Sequence, residues 1–171
     1  MFIPPSPLNT FPFSLFFMNR TATIETSLGN MTIELFEDKA PITTKNFIDL
    51  SKKGFYNNLS FHRIIKDFMV QAGCPKGNGT GGPGYKIKDE FHKDLKHSNK
   101  GFLSMSNSGP NSGGSQFFIT LAPCQWLDNK HAIFGKVIEG KSVLADIGKV
   151  KTDTQDRPLD KVVIKKITIN D

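Results

Sequence analysis

Only two cysteines occur in the 171 residues, Cys74 and Cys124, and they lie far apart. Their scarcity excludes a disulfide framework and a Cys-x-x-Cys metal or redox site, and free thiols fit a reducing compartment, taken here as the cytoplasm. Long apolar runs are missing too. No stretch approaches the roughly 20 residues that cross a bilayer, so no membrane is expected as a partner. The four histidines, His62, His92, His97 and His131, keep no close metal spacing, and neither a metal nor a cofactor is expected. The net charge of +6 comes from basic residues scattered along the chain, with no block of five or six. They read as solvated faces, which weighs against nucleic acid as the partner. Gly77–Gly82 formally fits GxGxxG, but Pro83-Gly84 follows where a dinucleotide site needs a helix. Gly113-Gly114-Ser115-Gln116 misses the spacing of a nucleophile elbow, so serine hydrolase chemistry has no support.

What the chain does have is phenylalanine, 15 of them beside one Trp and two Tyr. A single domain of this length with so many rings has an aromatic core and room for an aromatic pocket. Residues 1–18 form a proline-containing N-terminal extension, expected to be a loose tail or to precede a natural start at Met18, and the domain proper is expected over 19–171. Thr21–Thr26 and Met31–Phe36 alternate around the turn Ser27–Asn30, which predicts a β-hairpin. Pro41 opens a helix that Gly54 ends. Strands are expected within Phe61–Ala72, Gly101–Met105, Gln116–Leu121, Ile133–Val137 and Val162–Ile169, with a second helix over Lys141–Gly148. Gly73–Tyr85 holds six glycines and two prolines and must be a loop. Some eight short strands and two helices predict a mainly β fold, and closure into a barrel would leave no bare edge.

The run Phe61–Gln71, FHRIIKDFMVQ, places His62 and Arg63 inside an apolar stretch. A buried cation is costly unless paired. Arg63 is therefore either a surface or ion-paired arginine or one that lines a cleft and offers its planar donors to a ligand. Trp126 is read equally well as a core ring or as the rim of an apolar pocket.

Four stretches in order, FHRIIKDFMVQ, GNGTGGPGY, LSMSNSGPNSGGSQFFIT and WLDNKHAIFGKV, resemble the cyclophilins, a family of peptidyl-prolyl cis–trans isomerases, and most resemble its short single-domain forms. The resemblance runs from about Thr21 to Asp171. It implies a closed eight-stranded antiparallel β-barrel capped by two α-helices, with rotamase activity towards Xaa-Pro bonds and a role in protein folding. It also implies that Arg63, His62, Gln71 and Phe68 are catalytic. Met69, Gly79, Ser106, Asn107, Ser108, Gln116, Phe118, Trp126, Leu127 and His131 would bind substrate, and Trp126 would favour a cyclosporin-type inhibitor. The expected partners are proline-containing peptides and unfolded clients, and the expected state is a monomer. Ser106 and Ser108 stand where the family usually has Ala, which keeps open a second reading as a proline-peptide binding module with little turnover. Lys66-Asp67 replaces a usual Pro-Gly, and Asn129 replaces a usual Gly.

Overall fold

The computed structural model describes residues 18–171, so the expectations for residues 1–17 lie outside the described residues. β1 (Thr21–Thr26) and β2 (Gly29–Leu35) form the predicted hairpin, pairing from Thr21 with Glu34 to Thr26 with Gly29. Ala22, Ile24, Met31, Ile33 and Leu35 all turn inward and are fully buried, as a period of two requires. The turn is held by Thr26, whose hydroxyl donates to the Gly29 carbonyl at 2.7 Å and accepts from the Leu28 amide at 3.1 Å.

The remaining strands are β3 (Leu59–Ser60), β4 (Arg63–Ile65), β5 (Met69–Ala72), β6 (Phe102–Met105), β7 (Phe117–Thr120), β8 (Ile133–Glu139) and β9 (Val163–Asn170). They make one sheet in the order β3-β9-β1-β2-β8-β6-β7-β5-β4. Two features of the expected barrel are corrected here. Among the described residues there are nine strands rather than eight, and β3 and β4 stand at opposite edges without pairing to each other. The cause is that one extended run divides its hydrogen bonds. Leu59-Ser60 pairs with β9, Arg63–Ile65 pairs with β5, and Phe61-His62 between them joins neither ladder. Three residue steps span at most about 11 Å, so the sheet curls into a half-barrel in which the end of β3 and the start of β4 lie within that distance.

α1 (Pro41–Lys52) carries its proline in the first turn, and its free amides at Ile42 and Thr43 donate to the Glu90 carboxylate at 3.1 and 2.9 Å. This carboxylate, distant in sequence, takes the place of a local N-cap. Gly54 follows the helix with φ of 74°, where glycine is least strained. α2 (Lys141–Ile147) buries Leu144 and Ile147. The predicted aromatic core is present: Phe47 of α1 lies 5.4 to 5.5 Å from the rings of Tyr56, Phe117 and Phe134. The Tyr56 hydroxyl is satisfied by the Ser115 carbonyl at 2.9 Å.

Candidate active site

Cross-strand neighbours in an antiparallel pair share a face. Arg63 pairs with Gln71, Gln71 with Phe118, and Phe118 with Ser104. The four form a row across β4, β5, β7 and β6 on the face opposite the core. Phe117, one residue away, points inward to Phe47 and Tyr56. Met69 lies on the same outer face as Gln71, two residues earlier on β5, and is 2% exposed. Met69 and Phe118 are both buried, yet neither belongs to the main core cluster. They form an apolar seat on the outside of the sheet.

The polar half of the site is a chain of amides. Gln71 Nε2 donates to Gln116 Oε1 at 3.0 Å, and Gln116 Nε2 donates to the carbonyls of Gly79 and Gly81, each at 2.9 Å. Gln116 thereby ties the glycine-rich loop to β5, and the carbonyl oxygen of Gln71 is left as an acceptor for a guanidinium on the neighbouring strand. Arg63 is exposed, and among the described residues no carboxylate pairs with it. This removes the ion-paired reading of the arginine, and the exposed side chain fits both the solvated reading and the cleft reading. A groove of about 610 Å³ runs beside the amide chain, lined by Gln71, Gln116, Ser106, Asn107, Ser108 and the loop from Gly79 to Lys86. The Ser106 hydroxyl is buried there without a partner.

The apolar half is assembled from loops. Phe68 lies 5.6 Å from Trp126, ring to ring, and Trp126 is 63% exposed on the 3₁₀ turn Gln125–Leu127. Trp126 is thus an exposed ring packed on Phe68 rather than a core ring. The Leu127 carbonyl accepts from the amides of Lys130 and His131 at 3.0 and 3.2 Å, and this turn swings His131 edge-on to Phe118 at 5.4 Å. His131 Nδ1 lies 2.9 Å from the Met105 carbonyl. Asn107 Nδ2 donates to the Lys130 carbonyl at 2.8 Å. Asp67 and Asn129, which replace glycines of the family pattern, both adopt φ of 60°, a conformation that Asp and Asn tolerate better than most residues.

His62 is placed differently from the rest. It is 8% exposed and neither ring nitrogen has a hydrogen-bond partner. Burial, followed by the charges of Arg63 and Arg157, lowers its pKa from 6.5, so the ring is neutral at pH 7. A side-chain carbon built at Gly79 would lie 3.5 Å from His62 Nε2. The ring supports the loop that lines the groove.

Sequence reasoning did not find the layer beneath Phe118. His97 is fully buried and stacks on Phe118 with centroids 6.1 Å apart and planes within 12°. Its backbone N–H and Nδ1–H both reach Asp128 Oδ1, at 2.7 and 2.8 Å, and Nε2 lies 2.8 Å from Ser104 Oγ. The carboxylate fixes the proton on Nδ1, so Ser104 donates to Nε2. Burial lowers the His97 pKa and Asp128 only partly opposes this. The order Asp–His–Ser is that of a hydrolase triad, but Ser104 is fully buried and no acyl group could reach it. Ser115, of the near-elbow stretch, donates to the Gly73 carbonyl at 2.7 Å and is likewise structural. No spacing in the sequence links His97, Ser104 and Asp128; only strand pairing and the 3₁₀ turn bring them together.

Residues 21–169 match the family model described as cyclophilin type peptidyl-prolyl cis-trans isomerase/CLD. Peptidyl-prolyl cis-trans isomerase-like 1 of Emericella nidulans is 53% identical over 155 residues, covering 89% of this chain and 96% of that protein. A crystal structure of a Cryptosporidium parvum cyclophilin type peptidyl-prolyl cis-trans isomerase superposes with a TM-score of 0.87 at 38% identity, covering 90% of this chain and 98% of that one. A second crystal structure of that Cryptosporidium parvum protein, obtained in the presence of the dipeptide Ala-Pro, gives a TM-score of 0.86 at 38% identity over 88% and 99% of the two chains.

Proposed function

The chain belongs to the cyclophilin-type peptidyl-prolyl cis–trans isomerase family, and from that premise we propose that Arg63 drives rotation of an Xaa-Pro bond whose proline ring rests on Met69 and Phe118. The peptide bond resists rotation because resonance gives its C–N bond double-bond character, with a barrier of about 18–20 kcal/mol. In the twisted state that resonance is lost and the proline nitrogen regains a lone pair. A guanidinium that donates to this nitrogen, or to the turning carbonyl oxygen, binds the twisted state more strongly than either planar one. Only such a difference lowers the barrier. A rate gain of about 10⁵ needs roughly 7 kcal/mol of it, and one charge-assisted hydrogen bond contributes about 1.5–3 kcal/mol. The remainder is assigned to the apolar seat, which holds the ring still and excludes water, and to groups fixed in place before the substrate arrives.

The observation that carries the reading is the row Arg63–Gln71–Phe118, with an arginine with which no carboxylate pairs among the described residues, beside an apolar seat outside the core. Gln71 and Gln116 orient the guanidinium and the loop at Gly79. Asn107 meets the substrate backbone, Ser106 and Ser108 line the groove beside it, and Phe68, Trp126, Leu127 and His131 form the rim. His62 supports Gly79 and carries no proton in the reaction. The substrates are proline-containing peptides and unfolded clients, met by a monomer. The exposed Trp126 ring, packed on Phe68, suits a cyclosporin-type inhibitor. Cys74 and Cys124 are both free and buried, consistent with the cytoplasm. Among the described residues no helix is long and apolar enough to cross a membrane.

The test is the cis-to-trans rate of a short Ala-Pro peptide, with the wild type, Arg63→Ala and Arg63→Lys in parallel. Loss of one preorganised donor of this kind reduces turnover by about 10²–10³-fold, and Lys, lacking the planar fork, should recover only a small part. Full activity in a folded Arg63→Ala protein would remove Arg63 from the mechanism. The partnerless Ser106 hydroxyl favours the second reading, in which the groove holds peptide with little turnover. Saturable peptide binding without acceleration by the wild type, reversed by Ser106→Ala, would establish it.

A further inference from the structure

On the flank of the sheet, where the β4–β5 turn meets α2, lies a cavity of about 280 Å³ that shares no lining residue with the groove. Its apolar lining comes from Leu121, Val137, Leu144 and Ala145. Four lysines, Lys66, Lys100, Lys141 and Lys149, stand around it against one acid, Asp67. All four are exposed, and among the described residues none is in an ion pair. Gly148 lets α2 close one side, since a side-chain carbon there would lie 2.9 Å from Leu121.

Lys149 also borders a second cavity, of about 380 Å³, lined by the apolar side chains of Leu28, Val150 and Leu159. Lys151 and Lys161 flank it, with Asp160 as its one acid. Leu159 and Leu28 are 64% and 43% exposed. The two hollows therefore make one surface, apolar in its recesses and cationic on its rim. Six lysines, Lys66, Lys100, Lys141, Lys149, Lys151 and Lys161, thus line the two hollows against two acids, Asp67 and Asp160.

We propose that this surface docks an acidic peptide segment of a partner protein, with leucine or phenylalanine side chains seated in the hollows and flanking carboxylates on the lysines. The first hollow is large enough for one such side chain, and an apolar anchor in a pocket with charges on the rim is how short peptides gain both affinity and selectivity. A nucleic-acid strand fits less well. Its bases need exposed aromatic platforms to stack on, and the linings of the two hollows contain no aromatic residue. This surface is independent of the isomerase groove, and the proposal does not rest on the reading of that site.

The probe is a fluorescein-labelled, proline-free peptide of aspartate and glutamate around a leucine and a phenylalanine. Controls are the same peptide with both apolar residues replaced by alanine, and a labelled single-stranded oligonucleotide. Backbone amide spectra of the protein report where each binds. The expected result is saturable binding that shifts the amides of Gly101, Leu144 and Gly148 and leaves those of Gln71 and Gln116 in place. The alanine peptide should bind at least tenfold more weakly. Lys100→Glu with Lys141→Glu should weaken the probe at least tenfold, and Ala145→Phe, which fills the first hollow from an exposed position, should do the same. All variants should keep wild-type spectral dispersion and wild-type isomerase rates. Equal binding of the alanine peptide, tighter binding of the oligonucleotide at the same amides, shifts confined to the groove, or no shift at millimolar probe would each overturn the proposal.

Discussion

Phe117 and Phe118 are adjacent on one strand and belong to different parts of the molecule. Phe117 packs edge-on against Phe47 and Tyr56 inside the sheet. Phe118 faces outward, with His131 at its edge and His97 stacked on it. The inner face is filled by interlocking rings whose polar tips are satisfied, as at Tyr56. The outer face combines an apolar seat with groups left uncommitted, among them the Arg63 guanidinium and the Ser106 hydroxyl. The period of two lets β7 place one ring in the core and the next on the outer face. Stability and activity should therefore respond to different members of adjacent pairs.

The largest separation is expected between Phe117→Ala and Phe118→Ala. Emptying the inner site should destabilise the protein by about 3–5 kcal/mol, read by denaturant unfolding. Phe118→Ala should unfold at a denaturant concentration much closer to wild type while losing most isomerase activity on the Ala-Pro peptide. Equal destabilisation by the two would break the comparison. Next in size, Gln71→Leu should lower kcat/KM by about tenfold, roughly the net worth of one hydrogen bond to a charged group, with little change in melting. A loss of stability without a loss of rate would return Gln71 to a structural role.

A smaller effect separates the faces by pH. His62 and His97 both have pKa values lowered from 6.5, chiefly by burial. The unfolded chain then binds more protons than the folded one below about pH 6.5, so stability is complete above that value and falls as pH drops through it. Unfolding midpoints at pH 7.5 and 5 measure this, and His97→Gln should reduce the difference. The smallest effect concerns the reaction itself. Bond rotation transfers no proton, so kcat/KM should vary by less than about twofold between pH 6 and 8. A bell tracking one ionisation would mean that a histidine takes part.

The hairpin, both helices and the aromatic core were legible because each rests on local periodicity or on a single turn residue, such as Pro41 or Gly54. The family resemblance named candidate site residues, and strand pairing sets Arg63, Gln71, Met69 and Phe118 on one outer face, with His62 behind Gly79. The division of Leu59–Ile65 between two partners was not legible, because hydrogen bonds to β9 and β5 leave no mark on the residues that make them. The Asp128–His97–Ser104 chain was hidden for a similar reason. His97 looked like one polar residue in a polar loop, and only the stacking of β6 and β7 over that loop gives it partners. The cap on α1 was supplied by Glu90, too distant in sequence for any capping pattern to show it.

The strand order has a consequence for how such a chain is made. β9 lies between β3 and β1, so the last of the nine strands to leave the ribosome completes the neighbourhood of the first and the third. Until it emerges, β1 and β3 each present a row of unpaired amides and carbonyls, the kind of edge that recruits other chains. A chain with this topology therefore depends on its final strand to cover edges that its earlier strands expose during synthesis.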